Sequence, residues 1–306
     1  MAISSAALVG CGGGDDGVDP PSGPHYTYVA NKASVPTNNT QARDFGLDLN
    51  GDGQVDNQLG MVLGTLAGQG FEVQGAVDEA VLNGSIILLL DFQTPSFSST
   101  TGAGLQVKLG ATPMPAPCTN PDDITTCGQH LKGTGTFTIA AGSPQNAGVS
   151  GKIAGGVFTG GPGDISLQIA LGGANPIQLD LIGARAKGTE LSETALGKVT
   201  LAGALTQNDL DTKVIPAVQA QLPPLIMRDC TMLTAPPDCG CLANSTGKTI
   251  LGLFDTTPKD CMVTVEEIKT NSLIQSLLAP DVTIDGVEAL SLGIQVTTVK
   301  GTFPTE

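Results

Sequence analysis

The chain has 306 residues, a formal net charge of −15 and 41 glycines, whereas aromatic residues make up only 3% of it. The 14 lysines and arginines are scattered without forming a basic patch, so the charge excludes nucleic acid as an electrostatic partner and favours cations. Abundant glycine and proline favour many short strands joined by turns over long helices.

The first 24 residues are predicted to be a signal remnant and a flexible tether. Small and apolar residues precede Cys11, and the motif that ends at this cysteine reads Leu-Val-Gly-Cys. It resembles the lipobox of bacterial lipoproteins, which implies a lipid on Cys11, attachment to a membrane through that lipid, and a cell-envelope or extracellular location. No lysine or arginine precedes Lys32, so an ordinary N-terminus of small residues is the alternative.

The other six cysteines are expected to form three disulfides. An even number of cysteines in loops rich in proline and glycine is typical of an oxidising compartment. A zinc site is the alternative, although the single residue between Cys239 and Cys241 suits zinc poorly. The expected local pair is Cys118 with Cys127. The candidates are Cys118, Cys127, Cys230, Cys239, Cys241 and Cys261.

Hydrophobic periodicity predicts an α+β fold with one domain over residues 25–306. Residues 25–84 hold a first strand, a calcium loop and two helices with apolar residues at helical spacing. Residues 85–206 alternate apolar and polar positions between glycine-rich turns, which predicts a largely antiparallel sheet, either a sandwich or a curled sheet. Residues 207–306 form a helical, cysteine-rich segment with a final strand. Short helices carrying EF-hand-like calcium loops are expected to flank the sheet.

The segment from Asp48 to Asp56 has the pattern of a calcium loop. Its oxygen side chains stand at positions 1, 3, 5 and 9, and a glycine stands at position 6. The predicted calcium ligands are Asp48, Asn50, Asp52, the backbone carbonyl of Gln54, and Asp56. The segment resembles the D-x-N-x-D-G loops of EF-hand, dockerin and thrombospondin type 3 repeats, which implies calcium as a cofactor.

Position 12 of this loop is Leu59 rather than the bidentate glutamate of an EF-hand. Water, or another acid such as Asp44, would have to complete the coordination. We therefore expect weak binding, with a Kd on the order of 0.1–1 mM. A surface turn, which Asn, Asp and Gly also form, is the alternative.

A second candidate calcium site precedes the helix that is predicted to start near residue 265. The segment resembles the second half of an EF-hand, and that resemblance implies Asp255, Thr257, Asp260 and Glu267 as ligands. It has one extra residue before Asp260, and Cys261 stands where glycine belongs, so a decayed EF-hand kept as scaffold is the alternative. A third acidic turn at 281–288 is either a site or a solvated turn.

No catalytic residues are assigned. The chain has no G-x-S-x-G motif, and residues 246–249 end like a P-loop without the glycine that should stand at position 242. The three loops together resemble the degenerate arrays of exported lipoproteins from myxobacteria-like organisms, most of which have no assigned function. We expect a calcium-stabilised, lipid-anchored envelope protein that acts as a structural or binding module. A secreted hydrolase, and a carrier of apolar ligands, are the alternatives.

Overall fold

A computed structural model describes residues 17–68, 73–170, 176–256 and 258–305. The first elements of the described chain are a strand and three helices, in agreement with the periodicity of this region. These elements are β1 (His25–Ser34), α1 (Asn39–Asp44), α2 (Gln58–Ala67) and α3 (Val73–Leu82). Asn38 caps α1, because its side chain accepts a hydrogen bond from the Gln41 amide.

The middle of the chain is built from strands, as the alternating pattern predicts. They are β2 (Leu88–Gln93), β3 (Thr100–Met114), β4 (Gly135–Ile139), β5 (Gly148–Ala154), β6 (Val157–Ile169), β7 (Ile177–Leu191) and β8 (Leu196–Thr206). Two single 3₁₀ turns, Ile124–Thr126 and Gln129–Leu131, lie in the connection between β3 and β4.

The C-terminal third is helical until its last two strands. A continuous helical segment consists of α4 (Gln207–Asp209), a π-helical turn (Leu210–Val214) and α5 (Ile215–Gln219). It is followed by α6 (Leu222–Asp229), α7 (Thr246–Phe254), α8 (Val265–Thr270) and α9 (Ser272–Leu277). The chain ends with β9 (Val282–Ile284) and β10 (Val287–Thr302).

Within the described residues, eight strands close into an antiparallel barrel. Their order around the barrel is β1, β2, β3, β5, β6, β7, β8 and β10, and β10 pairs again with β1. The two remaining strands lie beside this ring. The fourth strand pairs with β3 and, in parallel, with β10, and the short β9 pairs with β10.

The expected α+β fold, a sandwich or curled sheet flanked by EF-hand-like helices, is therefore wrong. Closure depends on strands from opposite ends of the chain, for example where Val29 of β1 lies opposite Val299 of β10. Alternation within a strand shows which residues share a face, but it does not show which strand is the partner. Register shifts between Gly148 and Gly151, and between Gly160 and Gly163, bend β5 and β6, and bulges of this kind help a sheet to close.

The barrel interior is packed with apolar side chains. Phe92, Phe158, Leu105 and Leu179 are each 1% exposed, and the two phenylalanine rings meet edge to face with centroids 5.1 Å apart. Helices α2 and α3 add their buried sides to the same core. The apolar stripes of these helices and the inward faces of the strands thus form one hydrophobic core.

The outer face of β1 and β2 is also covered. Val29, Ile87 and Leu89 pack there against Phe137 of β4 and Phe303 after β10. This second layer explains why residues 86–92 form an almost unbroken apolar run, since a strand covered on both sides needs apolar residues on both faces.

A separate core lies in the C-terminal helical segment. Ile226, Ile250 and Ile268 pack around two disulfides, Cys230–Cys241 and Cys239–Cys261. The third disulfide among the described residues is the expected local pair, Cys118–Cys127. The disulfide prediction is confirmed and the zinc alternative is not, so the chain belongs to an oxidising extracellular or envelope compartment.

Candidate functional site

The loop between α1 and α2 is shaped by its first residue, Asp48. The Gly51 amide donates to Oδ1 of Asp48 at 2.6 Å, and the Gly53 amide donates to Oδ2 at 2.9 Å. Both glycines have a positive φ, 82° for Gly51 and 84° for Gly53, a conformation that side chains with a Cβ adopt at a cost. The tight turn therefore depends on these glycines and on the carboxylate that they surround.

The next two polar residues repeat this arrangement. The Asp52 amide donates to Oδ1 of Asn50 at 3.0 Å, and the Gln54 amide donates to Oδ1 of Asp52 at 2.7 Å. Each of these oxygens has a second lone pair that the loop amides do not use. The loop thus holds a set of oxygen acceptors in place on an exposed turn.

Asp56, at the end of the loop, is buried and binds the start of the loop. It is 8% exposed, its Oδ2 accepts from the Leu49 amide at 2.7 Å, and its backbone forms a bridge with Leu47. Burial raises the pKa of the Asp56 carboxyl, and the neighbouring carboxylates of Asp281 and Asp52 raise it further. A cation near these carboxylates would favour the ionised form of Asp56.

Asn57, which follows the loop directly, ties it to the barrel. Its Nδ2 donates to the carbonyls of Ala42 (2.9 Å) and Gly293 (3.0 Å), and its Oδ1 accepts from the amides of Gly293 (2.8 Å) and Gly60 (3.0 Å). It is 5% exposed. One side chain therefore joins α1, the start of α2 and strand β10.

The oxygen atoms of the loop are of the kind that calcium prefers, but they do not enclose a complete binding site. All the side-chain donors are carboxylate or amide oxygens, which hard cations prefer. Leu59 at position 12 is buried in the barrel core and supplies no ligand, while Asp44 and Gln54 are exposed. Over the described part of the chain, no group of three or more acidic, histidine or cysteine side chains is placed to hold a metal ion.

The second candidate loop uses its acids to shape the chain. Asp255 is 4% exposed, and its two oxygens accept from the amides of Asp260 and Cys261, both at 3.0 Å. Asp260 in turn accepts from the Met262 amide at 3.0 Å. Thr257 lies outside the described residues. These contacts agree with the alternative of a scaffold turn.

Glu267 stabilises the N-terminus of helix α8, whose N-cap residue is Thr264. Its Oε2 accepts from the amide and hydroxyl of Thr264, both at 2.9 Å, and the Glu267 amide donates back to that hydroxyl at 3.2 Å. Its Oε1 accepts from the Thr256 amide at 2.9 Å. The carboxylate expected as a bidentate ligand thus completes a capping box. In the third turn, Asp281 likewise binds the amide and hydroxyl of Ser291.

The expected lipidation residue, Cys11, lies outside the described residues. Residues 19–22 of the predicted tether lie against β3, since the Asp19 amide donates to the Thr101 carbonyl and the Ser22 amide donates to the Gly102 carbonyl. Among the helices that the structure describes, none is long and apolar enough to cross a membrane.

The two histidines have very different surroundings. Nδ1 of His25 lies 2.9 and 3.0 Å from the two carboxylate oxygens of Asp91, which is 2% exposed and lies in the apolar run of β2. His130 is fully buried, and neither of its ring nitrogens has a hydrogen-bond partner in the described structure. Burial lowers the pKa of His130 to about 4.

Sequence reasoning missed the pairing of His25 with Asp91. The signal was a single carboxylate inside the otherwise apolar run at 86–92. A buried carboxylate needs a charged or hydrogen-bonding partner, but its position in the sequence does not show which residue supplies it.

Comparisons with known proteins do not add a family. No protein-family model matches the chain, and neither the curated proteins nor the solved structures contain a match. Functional inference therefore depends on the residues and contacts described above.

Proposed function

We propose that this chain is a calcium-stabilised, lipid-anchored module of a bacterial cell envelope, with a structural or binding role. The observation that carries the proposal is the loop at 48–56, whose side-chain oxygens are held by loop amides beside the buried carboxylate of Asp56. Asp48, Asn50, Asp52, Asp56 and the carbonyl of Gln54 would hold the ion. The three disulfides support a location outside the cytoplasm.

The position of the loop supports a stabilising role for calcium. Leu49, inside the loop, packs with Ala202 and Ala289 of the barrel, and Asn57 binds strand β10. A cation bound by the loop would neutralise the repulsion among its carboxylates and so hold α1 and α2 against the sheet. The lipid anchor is supported by the motif at Cys11.

Thermal unfolding with calcium and with chelator tests the proposal. Calcium at ten times its Kd should add about 1.4 kcal/mol to the free energy of unfolding, because it binds the native state only. Asp52→Ala should abolish this gain, whereas Asp122→Ala, an exposed acid in another loop, should retain it. A melting temperature that calcium leaves unchanged in the wild type would refute the calcium assignment.

Hydrogen exchange locates the effect. Removal of calcium should speed exchange in residues 40–68 and 73–82, which contain the loop and its helices. Residues 164–169 and 177–182 of β6 and β7 should stay protected, since their hydrogen bonds lie within the barrel. Uniform loss of protection over both regions would contradict a local role for the loop.

The alternative of an apolar-ligand carrier receives support from the closed barrel alone, since small barrels of this kind can hold one ligand. The packing of side chains in the barrel gives no further support to the carrier alternative. The space between α3 and the strands, lined by Val77, Leu167 and Ile294 among others, has a volume of about 10 Å³. That is room for about one water molecule. The hydrolase alternative requires acids or the two histidines to cluster in a cleft. His25 contacts Asp91, whereas His130 is fully buried.

A further inference from the structure

A cleft of about 320 Å³ lies between two helical parts of the C-terminal segment. One wall belongs to α4, the π-helical turn and the start of α5, and the other wall belongs to the end of α8, to α9 and to the residues that follow α9. The lining combines charged, amide and aliphatic side chains, among them Gln207, Asp211, Ile215, Lys269, Ile274 and Leu278. No residue of the calcium loop lines the cleft, so ligand binding here would be independent of calcium.

The apolar part of the lining is fixed by the packing of the C-terminal helices. Ile215 is 4% exposed and belongs to the core around the two disulfides, and Ile274 and Leu278 pack against that core. Nε2 of Gln219, at the end of α5, donates to the carbonyl of Val263 at 2.8 Å, which joins α5 to the segment before α8. A cleft that is already formed loses little conformational entropy when a ligand binds.

Asp211 supplies a half-buried carboxylate that no cation neutralises within the described residues. The one lysine of the π-helical turn, Lys213, binds Asp180 at 2.9 Å and Asp209 at 2.8 Å instead. Oδ1 of Asp211 accepts from Nε2 of Gln207 at 2.8 Å. Its Oδ2 has no partner in the described part of the chain, so this oxygen is available to a ligand with a cationic donor.

Lys269 supplies the opposite charge on the other wall. It is half-buried, and its ammonium group has no hydrogen bond or ion pair with any residue that the structure describes. Asp211 and Lys269 therefore line one cleft without neutralising each other. The cleft offers separate places for an ammonium group and a carboxylate beside an aliphatic surface.

We propose that this cleft binds an aliphatic α-amino acid in its zwitterionic form, such as leucine. The ammonium group of the ligand would bind the carboxylate of Asp211, and the ligand carboxylate would bind Lys269, whose flexible stem can adjust its position. The aliphatic side chain would cover Ile215, Ile274 and Leu278. A volume of about 320 Å³ is at the lower end of the range of small-molecule pockets, which suits a ligand of this size. A zwitterion has no net charge, so the formal charge of −15 does not repel it as it repels anions.

NMR titration of the full chain with leucine and three analogues tests the proposal. Leucine should cause saturable shifts of the backbone amides of Asp211, Lys269 and Ile274, with a Kd on the order of 1 mM, as is typical of a ligand with few heavy atoms. The analogues 4-methylpentanoate, which lacks the ammonium group, and 3-methylbutylammonium, which lacks the carboxylate, should each bind about tenfold more weakly or worse. Glycine keeps both charges without the aliphatic side chain, and it should also bind about tenfold more weakly or worse.

Two variants test the charged contacts separately. Asp211→Asn keeps an acceptor for Gln207 and should weaken leucine binding about tenfold, as expected for the loss of a hydrogen bond to a charged group. The same variant should bind 4-methylpentanoate at least as tightly as the wild type does, because the repulsion between two carboxylates is removed. Lys269→Met should also weaken leucine binding about tenfold, whereas Lys248→Met, an exposed position on α7 outside the cleft, should leave it unchanged.

Three results would overturn the proposal. They are the absence of saturable leucine binding to the wild type, equal wild-type affinity for leucine and either singly charged analogue, and unchanged leucine affinity in both Asp211→Asn and Lys269→Met.

Discussion

Acidification should destabilise the protein through His130. The ring is fully buried against Phe137, with ring centroids 6.1 Å apart, and its two nitrogens have no partner in the described structure. Burial lowers the pKa of His130 from 6.5 to about 4. The unfolded chain therefore takes up a proton on this ring at a higher pH than the folded chain does, so stability is fully present above about pH 6.5 and is lost as the pH falls toward 4.

The magnitude follows from the two pKa values. At pH 5.5 the linkage relation predicts a loss of about 1.4 kcal/mol from His130, and at pH 4.5 a loss of about 2.5 kcal/mol. Well below pH 4 the loss levels off at about 3.4 kcal/mol, because both states are then protonated. His130→Leu removes this contribution. It should also be at least as stable as the wild type at pH 7, since it removes two buried nitrogens that lack partners.

Urea unfolding of both proteins at pH 7.0, 5.5 and 4.5, with the disulfides intact, measures the difference. Subtracting the variant from the wild type at each pH cancels the titration of the carboxylates, which are the same in both. The difference should change by about 2.5 kcal/mol between pH 7.0 and 4.5 in the direction of a less stable wild type. A difference that stays constant over this range would refute the assignment of His130 as a buried neutral ring.

Three further predictions concern the attachment of the loop, the cysteine-rich core and a surface ion pair. Asn57→Ala should lower the free energy of unfolding by about 3 kcal/mol in urea titrations, because it leaves the amide and carbonyl of Gly293 without their partner. Replacing Cys239 and Cys261 by serine should remove about 3 kcal/mol, as expected for a sequence separation of 22 residues. Pulsed proteolysis should then cut within 222–270 before the barrel, and simultaneous cleavage of both would contradict a separate core. Burial alone would raise the pKa of Asp180, but hydrogen bonds from Ser166, Gln178 and Lys213 lower it to about 2. The small stabilisation by this half-exposed carboxylate, below about 1 kcal/mol, should therefore be present above pH 4 and lost toward pH 2, and Asp180→Asn should not show that loss.

The elements of the fold were largely predictable from local patterns. The helices α2 and α3 and the alternating strands follow from periodicity, because burial of one face imposes a period of 3.6 or 2 residues on the sequence. The pairing of Cys118 with Cys127 was predictable because only nine positions separate them. The connectivity of the other four cysteines was not, since several pairings satisfy the same spacing.

The candidate sites also combine features that the sequence predicts with features that only the structure shows. The calcium pattern at 48–56 is local, so its residue types and spacing were visible, and the structure adds that Asp56 is buried and that Asn57 anchors the loop to β10. The contact of His25 with Asp91 was not predictable, because the two residues come from two strands that only the folded sheet brings together.

The sequence by itself determined helices α2 and α3, the alternating strands, the cysteine content and the spacing of the oxygen side chains in the loop that begins at Asp48. Each of these depends on residues that are close together in the chain, where spacing alone decides which side chains share a face or a turn. Only the tertiary structure decided that β1 pairs with β10 to close a barrel, and that His25 meets Asp91 on its outer face. Those pairings depend on contacts between distant segments, and their free energy comes from packing and register, which no local pattern of residues specifies.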